Sequence, residues 1–138
     1  MDAAVTRIAD YFAACSSGTS GDVAAHFTSD AVVYDTNFAP VRGAAAIGQF
    51  WLAVRRRWHG ATWKVDQAHS AGNRAVCEWS MTGRNAEGRA FVFRGSDHYN
   101  FAEDGRIAQV RKYWSFDPDR LDTALVDFPY DAREASAS

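Results

Sequence analysis

One stretch of this chain is more informative than any other: Arg89-Ala90-Phe91-Val92-Phe93-Arg94-Gly95-Ser96-Asp97-His98-Tyr99-Asn100-Phe101. It is rich in the aromatic and β-branched residues that favour strands. Because side chains of a strand alternate between its two faces, the odd-numbered residues share one face, which carries Phe91, Phe93, Gly95, Asp97, Tyr99 and Phe101. Asp97 is therefore a single carboxyl group in an otherwise largely aromatic face.

This environment gives Asp97 an unusual expected chemistry. Burying a charged carboxylate in an apolar wall is costly, and a carboxyl group in that position commonly stays neutral. A neutral carboxylic acid can donate a hydrogen bond to an oxygen that gains negative charge during a reaction. We therefore expect a neutral Asp97 that faces a cavity, although a register slip by one residue would turn it into water.

The stretches around this strand predict the rest of the sheet. Further long strands are expected at Ala61 to Ser70, Arg74 to Thr82 and Arg106 to Phe116, separated by turn-forming segments. A short strand is expected at Ala31 to Asp35, followed by a turn at Pro40 to Gly43. Helices are expected at residues 3–16, from Ser20 or Asp22 to Phe27, from Gly43 to about Trp58, and from Asp117 to about Phe128.

Helices followed by an antiparallel meander indicate an α+β fold. We expect a curved antiparallel sheet that wraps around the N-terminal helices and leaves an internal apolar cavity. At 138 residues, with 47% hydrophobic and 14% aromatic residues, the chain predicts one domain over residues 1–130 and a disordered tail over 131–138. The net charge of −2 gives no reason to expect a nucleic-acid or membrane partner.

Location and cofactors are predicted from what the sequence lacks. The N-terminus has no signal-peptide pattern, so a cytoplasmic protein is expected. Cys15 and Cys77 follow no metal or redox spacing and are expected to be buried free thiols. No set of His, Asp and Glu residues has metal-ligand spacing, and we expect no cofactor.

Three residues could act together if they face one cavity. Tyr11 borders the buried face of the first helix, Asp35 ends the first strand on the same side as Val33, and Asp97 lies on the aromatic face. Asp35, near a loop, would stay ionised and act as a base, while Tyr11 and Asp97 would donate hydrogen bonds to one substrate oxygen. This set suits proton abstraction next to a carbonyl, through a dienolate. Alternatively, Tyr11 is a surface tyrosine and Asp35 a turn carboxylate.

The order and context of these residues resemble the bacterial Δ5-3-ketosteroid isomerases, within the nuclear-transport-factor-2-like (NTF2-like) fold that also includes SnoaL-type cyclases. The resemblance covers residues 5–116. Its matching stretches are Tyr11-Phe12-Ala13-Ala14, Phe27 to Asp35, Arg42-Gly43 to Ile47, Phe50-Trp51, Asp97-His98-Tyr99-Asn100-Phe101, Asp104 to Ile107, and Tyr113-Trp114-Ser115. It implies that Asp35 is the general base, that Tyr11 and Asp97 are oxyanion donors, and that the protein forms a homodimer through the outer face of the sheet.

The substrate implied by this resemblance is a small hydrophobic carbonyl compound: a steroid, polyketide or terpenoid. Residues expected to bind it are aromatic and lie on the predicted inner face or near it: Trp51, Trp79, Phe91, Phe93, Tyr99, Trp114 and Phe116. The chain departs from the isomerase pattern at Thr36, where many members have Pro, and at Trp51, where some have Tyr. A longer segment after Trp114 could form a lid.

Three functions therefore stay open: an isomerase, a SnoaL-like cyclase that uses the same acid–base residues, and a non-catalytic binder of hydrophobic ligands. Epoxide hydrolysis is less favoured. Limonene-epoxide-hydrolase relatives of this fold use an Asp-Arg-Asp set, and the matching places here hold Trp79, Met81 and Lys112.

Overall fold

The computed structural model describes residues 2–130, so the tail predicted to be disordered, 131–138, lies outside the described residues. In chain order the elements are α1 (Ala3–Ser17), α2 (Ser20–Ala24), β1 (Phe27–Asp35), β2 (Phe38–Arg42), α3 (Ala44–Arg57), β3 (Thr62–Ala71), β4 (Arg74–Arg84), β5 (Ala90–Phe101) and β6 (Ile107–Trp114). The predicted α+β class and the four long strands are confirmed.

The strands form one sheet in the order β2-β1-β6-β5-β4-β3. Four of the five strand pairings are antiparallel, but β1 and β6 run parallel, so the sheet is mixed rather than wholly antiparallel as expected. The alternation predicted for β5 is confirmed, because Phe91, Phe93, Asp97, Tyr99 and Phe101 are all buried. These residues define the inner face of the sheet.

The helices cover this inner face. α1 begins after Asp2, whose side chain caps the helix by accepting hydrogen bonds from the backbone of Ala4 and Val5. It buries Ile8, Tyr11, Phe12 and Cys15, spaced three or four residues apart as in an amphipathic helix. α3 adds Ile47 and Trp51 to the same core. Among residues 2–130, no helix has both the length and the apolar character that a membrane span requires.

The turn predicted at Pro40 to Gly43 is wrong. The segment around Pro40 is an edge strand rather than only a turn, with Val33 paired to Val41 and Val32 to Arg42. Proline lacks a backbone donor, but an edge strand leaves one side of its backbone free of pairing, so Pro40 is tolerated there.

The helix predicted from Asp117 to Phe128 does not form. Instead, Val92 donates its backbone N–H to the carbonyl oxygen of Leu121 at 2.8 Å and accepts one from Thr123 at 3.2 Å. β5 extends beyond the end of β6 at this point, and its exposed backbone groups need partners. The segment after Trp114 supplies them, and this competes with helix formation.

The second helix is also shorter than predicted, and a different residue caps it. Its N-cap is Thr19, not Ser20 or Asp22, and Thr19 forms a capping box with Asp22. The helix ends at Ala24, and β1 begins at Phe27, so the last predicted helical residue is in fact the first residue of a strand.

A close approach between α2 and α3 predicts the effect of one substitution. A Cβ atom at Gly48 of α3 would overlap the backbone carbonyl oxygen of Ser20. Helix propensity alone would make Gly48→Ala stabilising, but the overlap should lower the free energy of unfolding by about 2 kcal/mol. Gly21→Ala is the matched control, since its Cβ would meet only Thr19 Oγ1, at 3.7 Å. Urea unfolding measures both changes, and an equally stable Gly48→Ala variant would contradict this packing.

Candidate functional site

Three charged residues lie side by side across the middle of the sheet. Asp35 of β1 pairs with Lys112 of β6, and Lys112 pairs in turn with Asp97 of β5. Directly paired residues project from the same face of a sheet, and this is the inner face, since Asp97 is 0% and Lys112 5% exposed. The sequence analysis identified the two carboxylates but missed the role of the lysine. The alternation of β6 was the sequence signal for its position, because it places Lys112 on the same face as Val110 and Trp114.

Asp97 is buried as predicted, and it lies beside a basic side chain that was not predicted to contact it. Lys112 Nζ lies 2.6 Å from Asp97 Oδ2, which also accepts a hydrogen bond from the Tyr99 hydroxyl at 2.6 Å. Trp79 Nε1 donates to Asp97 Oδ1 at 2.7 Å. A carboxyl group beside a basic side chain and two further donors is placed to accept hydrogen bonds rather than to donate one. The oxyanion role of Asp97 stays a prediction.

Aromatic rings surround the ammonium of Lys112. Its Nζ lies 5.0 Å from the ring centre of Trp51, 5.4 Å from that of Trp79, 5.5 Å from Phe12 and 6.0 Å from Tyr11. Such distances allow cation–π attraction, which stabilises a desolvated cation. An ammonium has three N–H donors, so the hydrogen bond to Asp97 leaves donor capacity for a ligand oxygen.

Asp35 lies at the edge of the site and is half-buried. Both of its carboxylate oxygens lie 3.0 Å from Trp114 Nε1, and Oδ1 also accepts the backbone N–H of Asn37 at 2.8 Å. The turn role considered for Asp35 is therefore present. Its Oδ2 accepts only the Trp114 hydrogen bond within residues 2–130, which leaves a lone pair on this oxygen available for a proton.

Tyr11 is 1% exposed, so the alternative of a surface tyrosine is wrong. Burial raises the pKa of Tyr11 well above its usual value, and the neighbouring Cys15 thiol and Asp97 add to this effect. Burial likewise raises the pKa of Cys15 to about 12. Tyr11 therefore keeps its proton, but its hydroxyl interacts with Cys15, and its ring centre lies 6.0 Å from Lys112 Nζ.

Between the helices and the sheet is an enclosed cavity of about 20 Å³, here called the inner cavity. It is lined by Phe38, Trp51, Val54, Trp58, Trp63, Trp79, Met81, Lys112 and Trp114. A space of this size holds about one water molecule. Trp51 lines this cavity, and its Nε1 is buried with no hydrogen-bond partner among residues 2–130. A ligand oxygen could therefore accept from both Trp51 and Lys112.

The aromatic residues predicted to bind substrate fall into two groups. Trp51, Trp79 and Trp114 line the inner cavity. The others do not: Phe91 and Phe93 stack on each other at 4.8 Å beside Trp58, Phe116 packs outside Trp58, and Tyr99 holds Asp97. Within residues 2–130, no group of three His, Cys, Asp or Glu side chains is arranged to hold a metal ion.

Comparison with known proteins agrees with this architecture. Residues 8–110 match the family model of the SnoaL-like domain, so the chain belongs to the SnoaL-like family. The predicted NTF2-like fold is thereby confirmed. No curated protein sequence matches the chain.

Several solved structures share this fold at low sequence identity. A hypothetical protein with a ketosteroid isomerase-like fold from Catenulispora acidiphila, in complex with trimethylamine, is 15% identical over 80% of this chain and 85% of its own, with a TM-score of 0.73. A protein of unknown function from Methylobium petroleophilum is 24% identical over 95% and 89%, with a TM-score of 0.72. SalBIII, an epoxide hydrolase/cyclase-like enzyme in pyran ring formation in salinomycin, is 15% identical over 82% and 91%, with a TM-score of 0.72.

The buried ion pair predicts a pattern of stability changes. Lys112→Met leaves the Asp97 carboxylate buried without its counter-charge, which should lower the free energy of unfolding by about 3–5 kcal/mol. The double variant Lys112→Met/Asp97→Asn removes both charges and should be more stable than Lys112→Met alone. Urea unfolding of the single and double variants measures the coupling. Additive losses would show that the two side chains do not form the pair described.

Proposed function

We propose that this protein is a cofactor-free enzyme that transfers a proton at the carbon next to a carbonyl group, as in the isomerisation of a β,γ-unsaturated ketone to its conjugated form. One observation carries the proposal. A buried ammonium and an indole N–H without a partner among residues 2–130 line one largely apolar cavity. A half-exposed carboxylate, Asp35, lies opposite that ammonium on the neighbouring strand of the sheet. The family includes isomerases and cyclases, which makes an enzyme plausible.

The residues take separate roles in this reaction. The substrate carbonyl oxygen accepts hydrogen bonds from Lys112 Nζ and Trp51 Nε1. The Asp35 carboxylate removes the proton between the carbonyl and the double bond, and the electron pair moves onto the oxygen to form a dienolate. The ammonium stabilises this charge strongly because the cavity is shielded from water. Asp35 then returns its proton to the far carbon of the dienolate.

Asp97 and Tyr11 support this chemistry without donating to the substrate. Asp97 positions Lys112 through the 2.6 Å ion pair, and Trp79 and Tyr99 fix Asp97 in turn. Tyr11 is one of the aromatic residues that surround the Lys112 ammonium. The oxyanion role that the family resemblance implies for Asp97 and Tyr11 therefore passes to Lys112 and Trp51.

The substrate class follows from the lining. Tryptophan rings and one cation suit a flat, apolar molecule with one oxygen at its end. Related structures contain small organic molecules, trimethylamine in one and polyporic acid in another, which supports a small-molecule ligand here. A steroid fits only if side chains move, because the inner cavity is about 20 Å³.

A cyclase is the second candidate. The Lys112 ammonium could also activate an ether or epoxide oxygen while Asp35 takes a proton from the attacking hydroxyl. The resemblance of the fold to SalBIII supports testing this reaction.

The proposal is tested by following the ultraviolet absorbance of the conjugated product from cyclohex-3-en-1-one and from 5-androstene-3,17-dione. Asp35→Asn should lower kcat by about 10²–10⁴, because it removes the base, while phenol binding is retained. Lys112→Met should lower kcat by about 10²–10³ and should also weaken phenol binding. Asp30→Asn is the matched control on the same strand, since Asp30 is exposed and bonds only Thr28 among the described residues.

Each outcome has a distinct meaning. Turnover that survives in Asp35→Asn would exclude Asp35 as the base. Phenol binding that depends on Lys112, with no conversion of either ketone, would retain the oxygen site and favour the cyclase. If neither conversion nor phenol binding occurs, the proposed site is wrong.

A further inference from the structure

The inner cavity, at about 20 Å³, admits the body of an organic ligand only if side chains move, but a larger space lies next to it. This second space, here called the vestibule, has a volume of about 300 Å³. It lies between the end of α3, the β4–β5 hairpin and the segment after β6, and it is lined by Arg57, Trp58, Asn85, Ala86, Glu87, Phe116, Pro118 and Leu121. Its volume is in the range of ordinary ligand pockets.

One side chain separates the two spaces. Trp58 is the residue shared by the linings of the inner cavity and the vestibule. Its ring packs edge-on against Phe93 at 5.3 Å and against Phe116 at 5.6 Å. Trp58 therefore lies where the inner cavity and the vestibule meet.

Trp58, unlike Trp79 and Trp114, is not anchored through its indole N–H. The indole N–H groups of Trp79 and Trp114 donate to Asp97 and Asp35, whereas that of Trp58 has no hydrogen bond to any residue within 2–130. Trp58 follows the last residue of α3, and the next two residues, His59 and Gly60, have φ values of 53° and 81°. Displacing this ring would break only apolar contacts.

We propose that Trp58 determines the substrate specificity of the site, as the partition that an elongated ligand displaces. The ligand's oxygen lies at Lys112 and Trp51, and its apolar body occupies the position of the Trp58 indole and the vestibule beyond. Arg57 and Glu87 at the vestibule carry opposite charges. A ligand body with a net charge would be repelled by one of them, so the ligand body is neutral. This inference rests on the proposed function for the position of the oxygen.

Binding of two phenols by calorimetry tests the proposal. Phenol is the short probe and 4-phenylphenol the elongated one. Trp58→Ala should bind 4-phenylphenol at least tenfold more tightly than the wild type, because the second ring no longer has to displace an indole. The matched control is Trp63→Ala, which removes the same side chain from a residue that lines the inner cavity but not the vestibule. It should give less than a threefold gain.

A second variant shows whether the vestibule is the space used. Adding Leu121→Trp to Trp58→Ala fills the vestibule from its far wall and should abolish the gain for 4-phenylphenol while leaving phenol binding intact. If Trp58→Ala fails to fold, as judged by circular dichroism, Trp58→Leu takes its place.

The proposal is overturned if the wild type and Trp58→Ala bind 4-phenylphenol equally, if Trp63→Ala gives the same gain, or if the Leu121→Trp change has no effect. Lack of binding of either phenol to every variant would also overturn it. None of these measurements depends on Asp35 or on turnover. Failure of the proposed proton transfer would instead appear as binding without conversion.

Discussion

The ion pair between Lys112 and Asp97 is the constraint around which the inner face is organised. Two charges in an apolar interior cost several kcal/mol to desolvate, and they persist only when further partners satisfy them. Trp79 and Tyr99 supply the hydrogen bonds for the carboxylate, and the rings of Trp51, Trp79, Phe12 and Tyr11 surround the ammonium. Much of the aromatic content of this chain therefore serves a charged centre.

The two carboxylates of the site differ because of their positions in one row of the sheet. Asp97 lies in the interior beside a cation and accepts every donor within reach, so its use is to position that cation. Asp35 lies two strands away from Asp97 and is half-exposed, with a lone pair not taken by the described residues. Under the proposed function, Lys112 is the buried donor and Asp35 on the neighbouring strand is the more exposed base.

Strand alternation was enough to predict the inner face of β5 and the burial of Asp97, and the order of helices before strands was enough to predict the α+β class. Alternation was not enough to predict the partners of Asp97, because they include Lys112, a residue on another strand. A lysine between two apolar positions normally carries its charge out to solvent, and only the pairing of β5 with β6 shows that it does not here. Pro40 indicated a turn, so the edge strand that contains it was not predicted. The signals for a helix at Asp117 were outweighed by the unpaired backbone at Val92.

The parallel pairing of β1 with β6 has a consequence for the order of folding. β1 and β2 form one antiparallel pair and β3 to β5 form a separate meander, and β6 is the strand that joins them. Asp35 and Lys112 are 77 positions apart in the chain (112 − 35), so their contact closes a long loop and forms slowly. The row of charges is completed only when β6 enters between β1 and β5. The contact that closes the sheet is thus also the contact that brings Asp35 next to Lys112.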